Sequence, residues 1–325
     1  MKNSEIEAKK SLESGDVLKA GFLYKDALKE NFGKPNSKNE TKRLKKELLN
    51  INKKIIDPKN KVFKEINVSA DISREKAILD QFIEELMKKD IDFVLKIIGT
   101  HKDFTIKYKS ILENSKKGTP LSQRLASTAT YSTEGHIIPG STSGEYSWTV
   151  QMYEMSLQLI SKLLLMPLFE NLISSKKLNP KELIKYFKKS HLIQYENLPF
   201  VRHGINSFFK KDYISFLHIM IPQFENVFLK ISSDLGIDII TVEKSIETKT
   251  RTLSSQNLLS EDFVTVWGED YCRRIDHILF EPLGLKLRHK IAHGEILKEE
   301  CTFENSLHIL YLYLVLLAVI KKVPN

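Results

Sequence analysis

The residues best suited to chemistry lie close together near the C-terminal end of the chain. Residues 287–294 read LRHKIAHG and place Arg288, His289 and His293 within six positions. On a helix, residues four apart share a face, so the two imidazoles would lie one turn apart with the guanidinium beside them. Imidazole titrates near neutral pH and guanidinium donates to phosphate oxygens. Gly294 is placed to end this helix through a positive φ.

These side chains suit cleavage of RNA by its own 2′-hydroxyl group. That reaction needs a base for the hydroxyl proton, an acid for the departing 5′-oxygen and a cation beside the phosphate, and it needs no metal ion. Two other interpretations stay open on these residues alone. His-x3-His is also zinc-ligand spacing. The histidines could instead be structural, favoured by the helix dipole, with Arg288 paired to a carboxylate such as Glu225 or Asp276.

The elements that must position this segment are helices. Gly and Pro are scarce, at 13 and 10 residues, and alternating strand patterns are rare, which predicts an all-α protein. Two short helices are expected between Ile6 and Asn31, around residues 14–16. Further helices are predicted over 39–54, 73–98, 148–174, 180–189, 205–235, 239–250, 268–292 and 304–322.

The final apolar run, residues 309–320, is shorter than the roughly 20 residues that a membrane span needs. It therefore predicts a buried core helix and no membrane association. The N-terminus lacks the apolar segment of a signal peptide, and two cysteines are too few for a disulfide framework. A cytoplasmic location is expected.

Charge and helix breakers predict two regions. Residues 1–117 carry 27 Lys and Arg against 19 Asp and Glu, whereas the remainder carries 23 against 22. Breakers cluster at residues 114–120. We therefore expect a basic helical N-terminal region over 1–117 and a helical domain over 118–325, which begins with a long loop at 121–147.

Four other residues qualify as secondary candidates. Glu225 lies in an apolar helix, where a carboxylate normally needs a partner, and it could orient Arg288 or a catalytic histidine. Arg273 and Arg274 could contact phosphate, but surface positions are expected for both. His308, on the last apolar helix, is expected to be a core histidine.

Residues 202–204 (Arg-His-Gly) repeat the start of the 287–294 motif, without a histidine at the matching distance beyond. They are predicted to form a loop after Pro199.

In its helical setting, the 287–294 segment resembles the HEPN superfamily (higher eukaryotes and prokaryotes nucleotide-binding). The hallmark of that superfamily is an arginine, a polar residue, three to five further residues and a histidine. Arg288, His289 and His293 occupy these places in turn. Residues 212–226 upstream look similar to a HEPN-like family that includes the ER-membrane-associated RNA degradation proteins. The resemblance covers about residues 120–325.

The resemblance implies a HEPN-like helical bundle with metal-independent endoribonuclease activity, often that of a toxin or antiphage-defence effector, and without a cofactor. It implies RNA as substrate and a homodimer in which two motifs form one site, with an antitoxin or sensor protein as a further partner. Arg288 would stabilise the phosphate, His293 would act as general acid or base, and His289, at a place where Asn or Asp is commoner, would assist. The alternative is a catalytically silent HEPN-like module that binds RNA or protein.

Overall fold

The computed structural model describes residues 3–32, 34, 37–60, 71, 73–118, 138, 144–189, 193, 196–242, 248–250 and 253–320. Helices dominate these residues, so the predicted all-α class is confirmed. The chain forms two compact units: residues 1–71 and 127–143 belong to the first, and residues 72–126 and 144–325 belong to the second.

The first unit is built from three helices, α1 (Asn3–Glu13), α2 (Val17–Asn31) and α3 (Lys38–Ile56). The two expected short helices are therefore present, and Gly15, with φ of 83°, makes the turn between them. Their apolar faces bury a small core, in which Tyr24, Leu44 and Ile51 are almost inaccessible to solvent. The third helix packs against α2, and Arg43 of α3 donates to Glu5 of α1 at 2.7 Å.

The second unit contains the remaining elements. Its helices before residue 190 are α4 (Ser73–Met87), α5 (Ile91–Thr100), α6 (Tyr108–Gly118), α7 (Gly144–Ile160), α8 (Met166–Ser174) and α9 (Pro180–Lys188). The later helices are α10 (Leu198–Phe209), α11 (Tyr213–Asp234), α12 (Ser255–Leu258), α13 (Glu261–Trp267), α14 (Glu269–Leu279), α15 (Leu287–Ala292) and α16 (Phe303–Ile320). Strands β1 (Ile240–Val242) and β2 (Thr248–Thr250) pair antiparallel, with Ile240 opposite Thr250.

The division between the units lies well before the boundary expected at residue 118. Helices α4 to α6 bury Ile83, Val94, Ile98 and Phe104 in the same core as the last helix. Helix breakers and a change of charge at 114–120 mark the end of α6, and they do not mark the end of a core. Of the loop expected over 121–147, residues 121–137 and 139–143 lie outside the described part, and Gly144 already begins α7.

Helix α16 forms the centre of the second unit. Residues 309, 310, 312, 314 and 316 are completely buried, which confirms the predicted core helix. Helix α5 approaches it closely, because Gly99 has no side chain at the contact with the backbone of Leu314. By length and composition alone, the helical segment Gly144–Ser174 could cross a membrane, a test that core helices of soluble proteins also pass.

Four predicted helices are interrupted or replaced. The helix expected over 73–98 stops at Met87, and a second helix begins at Ile91, where the Asp90 side chain caps its first turn. The helix expected over 205–235 begins earlier, at Leu198, and divides at residues 210–212, where Lys211 has φ of 61° and Asp212 caps α11. The helix expected over 268–292 stops at Leu279. Pro282 and Gly284 follow, and a Cβ at Gly284 would lie 2.4 Å from the carbonyl oxygen of His277.

The β-hairpin replaces the helix expected over 239–250. Its sequence, which begins Ile239-Ile240-Thr241-Val242, is rich in β-branched residues whose stiff side chains favour strands. The spacing of apolar residues alone does not distinguish a helix from a β-hairpin in this segment.

Candidate active site

The helix that carries the candidate catalytic residues is short and anchored from one side. Leu287 at the start of α15 is 1% exposed and Ile291 packs against the main core. Lys286 precedes the helix in a left-handed conformation, with φ of 54°. This reversal lets α15 begin in a new direction after α14, so the orientation of the motif depends on the seven residues between the two helices.

The C-terminal end of α15 forms a Schellman motif. Gly294 has φ of 67°, its N–H donates to the carbonyl of Ile291 at 3.2 Å, and the N–H of Glu295 donates to the carbonyl of Lys290 at 2.7 Å. The expectation that Gly294 ends this helix is confirmed. The turn leaves the His293 side chain exposed at the surface.

The two histidines are brought together as their spacing requires. The ring centroids of His289 and His293 lie 4.3 Å apart, with the ring planes at 44°. Burial lowers the pKa of His289, and the nearby charges of Lys286 and His293 lower it further against the opposing effect of Glu295. His289 is therefore neutral near pH 7 and can accept a proton.

Arg288 is held by Glu225 of α11. The Nε group of Arg288 donates to Glu225 Oε2 at 3.2 Å, while Glu225 Oε1 accepts the backbone N–H of Leu253 at 3.1 Å. The Glu225 side chain is only 16% exposed. Of the two carboxylates considered from the sequence, Glu225 is the partner, because Asp276 instead accepts the Ser255 hydroxyl at 2.5 Å.

The remainder of the Arg288 guanidinium is available to a ligand. Among the described residues its two terminal amino groups make no hydrogen bond, and Phe280 lies 6.0 Å from its central carbon. A guanidinium held by one edge can present its other donors to phosphate oxygens in a fixed geometry. Glu225 thus fixes the orientation of the Arg288 guanidinium.

The His289–His293 pair is the feature of this site that could hold a metal ion. In the part of the chain that the structure describes, no group of three or more His, Cys, Asp and Glu side chains is arranged to hold a metal ion. The zinc interpretation of the His-x3-His spacing therefore gains no third ligand from these residues.

A second polar cluster lies between α7 and α14 and was not predicted from the sequence. His277 Nε2 lies 2.5 Å from Glu154 Oε2, and the Tyr146 hydroxyl donates to Glu281. Burial raises the pKa of Glu154, but the hydrogen bond and charge of His277, with smaller contributions from Gln158 and His308, together outweigh burial and the net pKa is lowered. Because Glu154 and His277 are 123 positions apart, no local motif could have found them. The pair joins α7 to α14 beneath a crevice also lined by Tyr153.

Two secondary expectations are wrong. Residues 202–204 lie within α10 rather than in a loop, because Pro199 occupies the first turn of that helix, where its missing N–H costs nothing. Arg274 is 2% exposed rather than at the surface, donates to the carbonyl of Phe104 at 2.5 Å and lies 3.6 Å from the Tyr311 ring centroid. Arg274 therefore belongs to the core.

His308 is buried, as expected for a core histidine, and its burial has a consequence for stability. Burial, together with the nearby charge of Arg274, lowers the pKa of His308 to about 3, with Glu154 opposing. The unfolded chain binds a proton below about pH 6.5 and the folded chain does not, so the free energy of unfolding falls as pH decreases. We expect His308 to remove about 2 kcal/mol between pH 7 and pH 5.

Chemical denaturation of the wild type and of His308→Phe at both pH values measures this loss. The variant should lose about 2 kcal/mol less than the wild type over this interval, while His218→Gln, at an exposed position, should follow the wild type. Parallel pH dependence in the wild type and His308→Phe would contradict the prediction.

No family model, curated protein or solved structure matches this chain. Its function must be inferred from the chemistry of its own residues.

Proposed function

We propose that this protein is a metal-independent endoribonuclease of the HEPN type, with Arg288, His289 and His293 in its active site. The observation that carries the proposal is that Arg288 and the two histidines lie together on α15. A guanidinium anchored by Glu225 at 3.2 Å lies beside two imidazoles whose ring centroids are 4.3 Å apart. Cleavage of RNA by its 2′-hydroxyl needs a cation that binds the phosphate and titratable groups that transfer protons, all at one surface.

The proposed reaction uses each side chain for one task. A neutral imidazole takes the proton of the 2′-hydroxyl as the 2′-oxygen bonds to phosphorus. The phosphorus–5′-oxygen bond breaks, and an imidazolium gives its proton to the departing 5′-oxygen. Arg288 stabilises the charge on the phosphate oxygens during transfer. The products are a 2′,3′-cyclic phosphate and a free 5′-hydroxyl.

A homodimer supplies the acid and the base in this proposal. His293 of one copy acts as base while His293 of the second copy acts as acid, and His289 assists. The exposure of His293 at the end of α15 supports this arrangement, because an exposed imidazole can meet another copy. The family resemblance supports cytoplasmic toxin or antiphage-defence biology, with an antitoxin or sensor protein as partner.

Cleavage of end-labelled RNA in the presence of EDTA tests the proposal. The wild type is expected to produce 2′,3′-cyclic phosphate ends, and Arg288→Ala should cleave about 10²–10³-fold more slowly, because one preorganised phosphate ligand is lost. Arg74→Ala removes an exposed arginine of α4 and serves as the control. A folded dimer that binds several RNAs and leaves them intact would contradict the nuclease and favour the silent binding module.

A further inference from the structure

A basic groove lies between α9 and α10 of the second unit. It is open to solvent and has the half-buried Ile184 among its walls. Its remaining lining residues are all cationic: Lys181, Lys185, Lys188, Lys189 and Arg202. We call this feature the basic groove.

Part of the positive charge in the basic groove is uncompensated. Lys185 lies 3.6 Å from Glu182, and Lys189 pairs with Asp92. Lys181, Lys188 and Arg202 form no ion pair with any residue that the structure describes, although all three are exposed. The groove therefore presents at least three free cations to a polyanion.

The spacing of the lysines suits a linear polyanion. Lys181, Lys185 and Lys188 stand at i, i+4 and i+7 of α9, which places them along one face of the helix. Successive lysines are therefore about 4.5–6 Å apart along the axis. A row of cations at such intervals can neutralise successive phosphates of one nucleic-acid strand.

The basic groove lies at the same end of the α10–α11 hairpin as the candidate active site. A Cβ at Gly204 would lie 2.6 Å from Met220 Sδ, and the rings of Phe208 and Phe216 are 5.4 Å apart. A position four residues later on α10 therefore contacts a position four residues earlier on α11, so the two helices run antiparallel. In this register, each step forward on α10 is matched by one step back on α11. Arg202 is consequently level with position 222, about 4.5 Å along the axis from Glu225, which holds Arg288. At 100° per residue, Glu225 lies on the face of α11 opposite Phe216, so a strand that reaches both sites must pass around this end of the hairpin.

We propose that the basic groove binds the phosphate backbone of the RNA substrate, along a part of the strand that lies away from the scissile phosphate held by Arg288. The inference rests on the proposed function for the identity of the polyanion. It adds a surface that the 287–294 motif does not contain, on helices about 100 residues earlier in the chain. Arg202, at the start of the shorter Arg-His-Gly repeat, contacts the strand in the groove and takes no part in the chemistry.

The test compares two triple variants of the full chain that lose the same charge. The groove variant carries Lys181→Gln, Lys188→Gln and Arg202→Gln. The control variant carries Lys45→Gln, Lys46→Gln and Lys53→Gln, at exposed positions of α3 in the first unit. Fluorescence anisotropy measures binding of a labelled 2′-O-methyl oligouridine, which lacks a free 2′-hydroxyl and cannot be cleaved, across about 50–200 mM salt.

The groove variant is expected to bind at least about tenfold more weakly, and the slope of log K against log salt should fall by about 2, for three lost phosphate contacts on a single strand. The control variant should bind as the wild type does. Equal weakening in both variants, or none in the groove variant, would overturn the proposal. So would binding of polyglutamate of equal charge as tightly as RNA, since this would indicate an acidic protein as the partner.

Binding and chemistry fail separately in this design. If the groove variant binds as the wild type does while Arg288→Ala abolishes cleavage, the basic groove is wrong and the nuclease stands. If no RNA is cleaved but the groove variant loses binding as expected, the groove stands and the nuclease is wrong. Circular dichroism should show equal unfolding temperatures for both triple variants, because all six side chains are exposed.

Discussion

Replacing His293 with alanine is expected to lower the rate of RNA cleavage by about 10²–10⁴-fold, the range typical of a lost general acid or base. In a symmetric dimer the substitution removes both the acid and the base, which favours the upper part of this range. The side chain is exposed and follows the last residue of α15, so its loss removes no core contact. Thermal unfolding should therefore be nearly unchanged, and cleavage assays in EDTA isolate the chemical effect.

His289→Asn is the matched variant for this prediction. Asparagine keeps a hydrogen-bonding side chain on the same face, next to His293 and Glu295, but it cannot titrate. We expect it to retain cleavage within about tenfold of the wild type, because assistance is lost while His293 still transfers protons. The pH–rate profile should lose the contribution of a histidine whose pKa is lowered. Equal losses in His293→Ala and His289→Asn would contradict the role given to His293.

The local geometry of the motif could be predicted because it depends on local rules. Four-residue spacing on a helix brings His289 and His293 together, and a glycine after the last turn ends the helix. Both features follow from backbone geometry within eight residues. The two candidate partners of Arg288 could not be separated in the same way, because the choice depends on how α11 and α14 pack beside α15.

The direction of the motif and its surroundings depend on tertiary contacts, which the sequence does not show. Apolar periodicity continues through residues 280–286, so the sequence predicts one helix where Pro282, Gly284 and the left-handed Lys286 produce a break. This break sets the direction of α15 and therefore the side of the molecule on which the 287–294 motif lies. The Glu154–His277 pair also could not be predicted, because its residues meet only when α7 packs on α14. Breakers show where helices end, and only contacts show which helices share a core.

Gly99→Ala is expected to lower the free energy of unfolding by about 2–3 kcal/mol, because overpacking a rigid contact costs about this much. A Cβ at this position would lie 2.3 Å from the carbonyl oxygen of Leu314 and 2.7 Å from its carbonyl carbon. Both atoms belong to the backbone of α16, so relief requires the movement of a helix. The midpoint of thermal unfolding should fall by roughly 5–10 °C, as measured by circular dichroism.

Gly204→Ala separates the steric cause from any general effect of changing a helical glycine. Its added Cβ would lie 2.6 Å from Met220 Sδ, at the far end of a flexible side chain that can change rotamer. Alanine also favours a helix over glycine, by up to about 1 kcal/mol in a helix interior, so a net loss at either position must come from packing. We expect Gly204→Ala to cost less than about 1 kcal/mol. Equal losses at the two positions would mean that the close approach of α5 to the Leu314 backbone does not limit stability. A larger loss at Gly99 would show that it does.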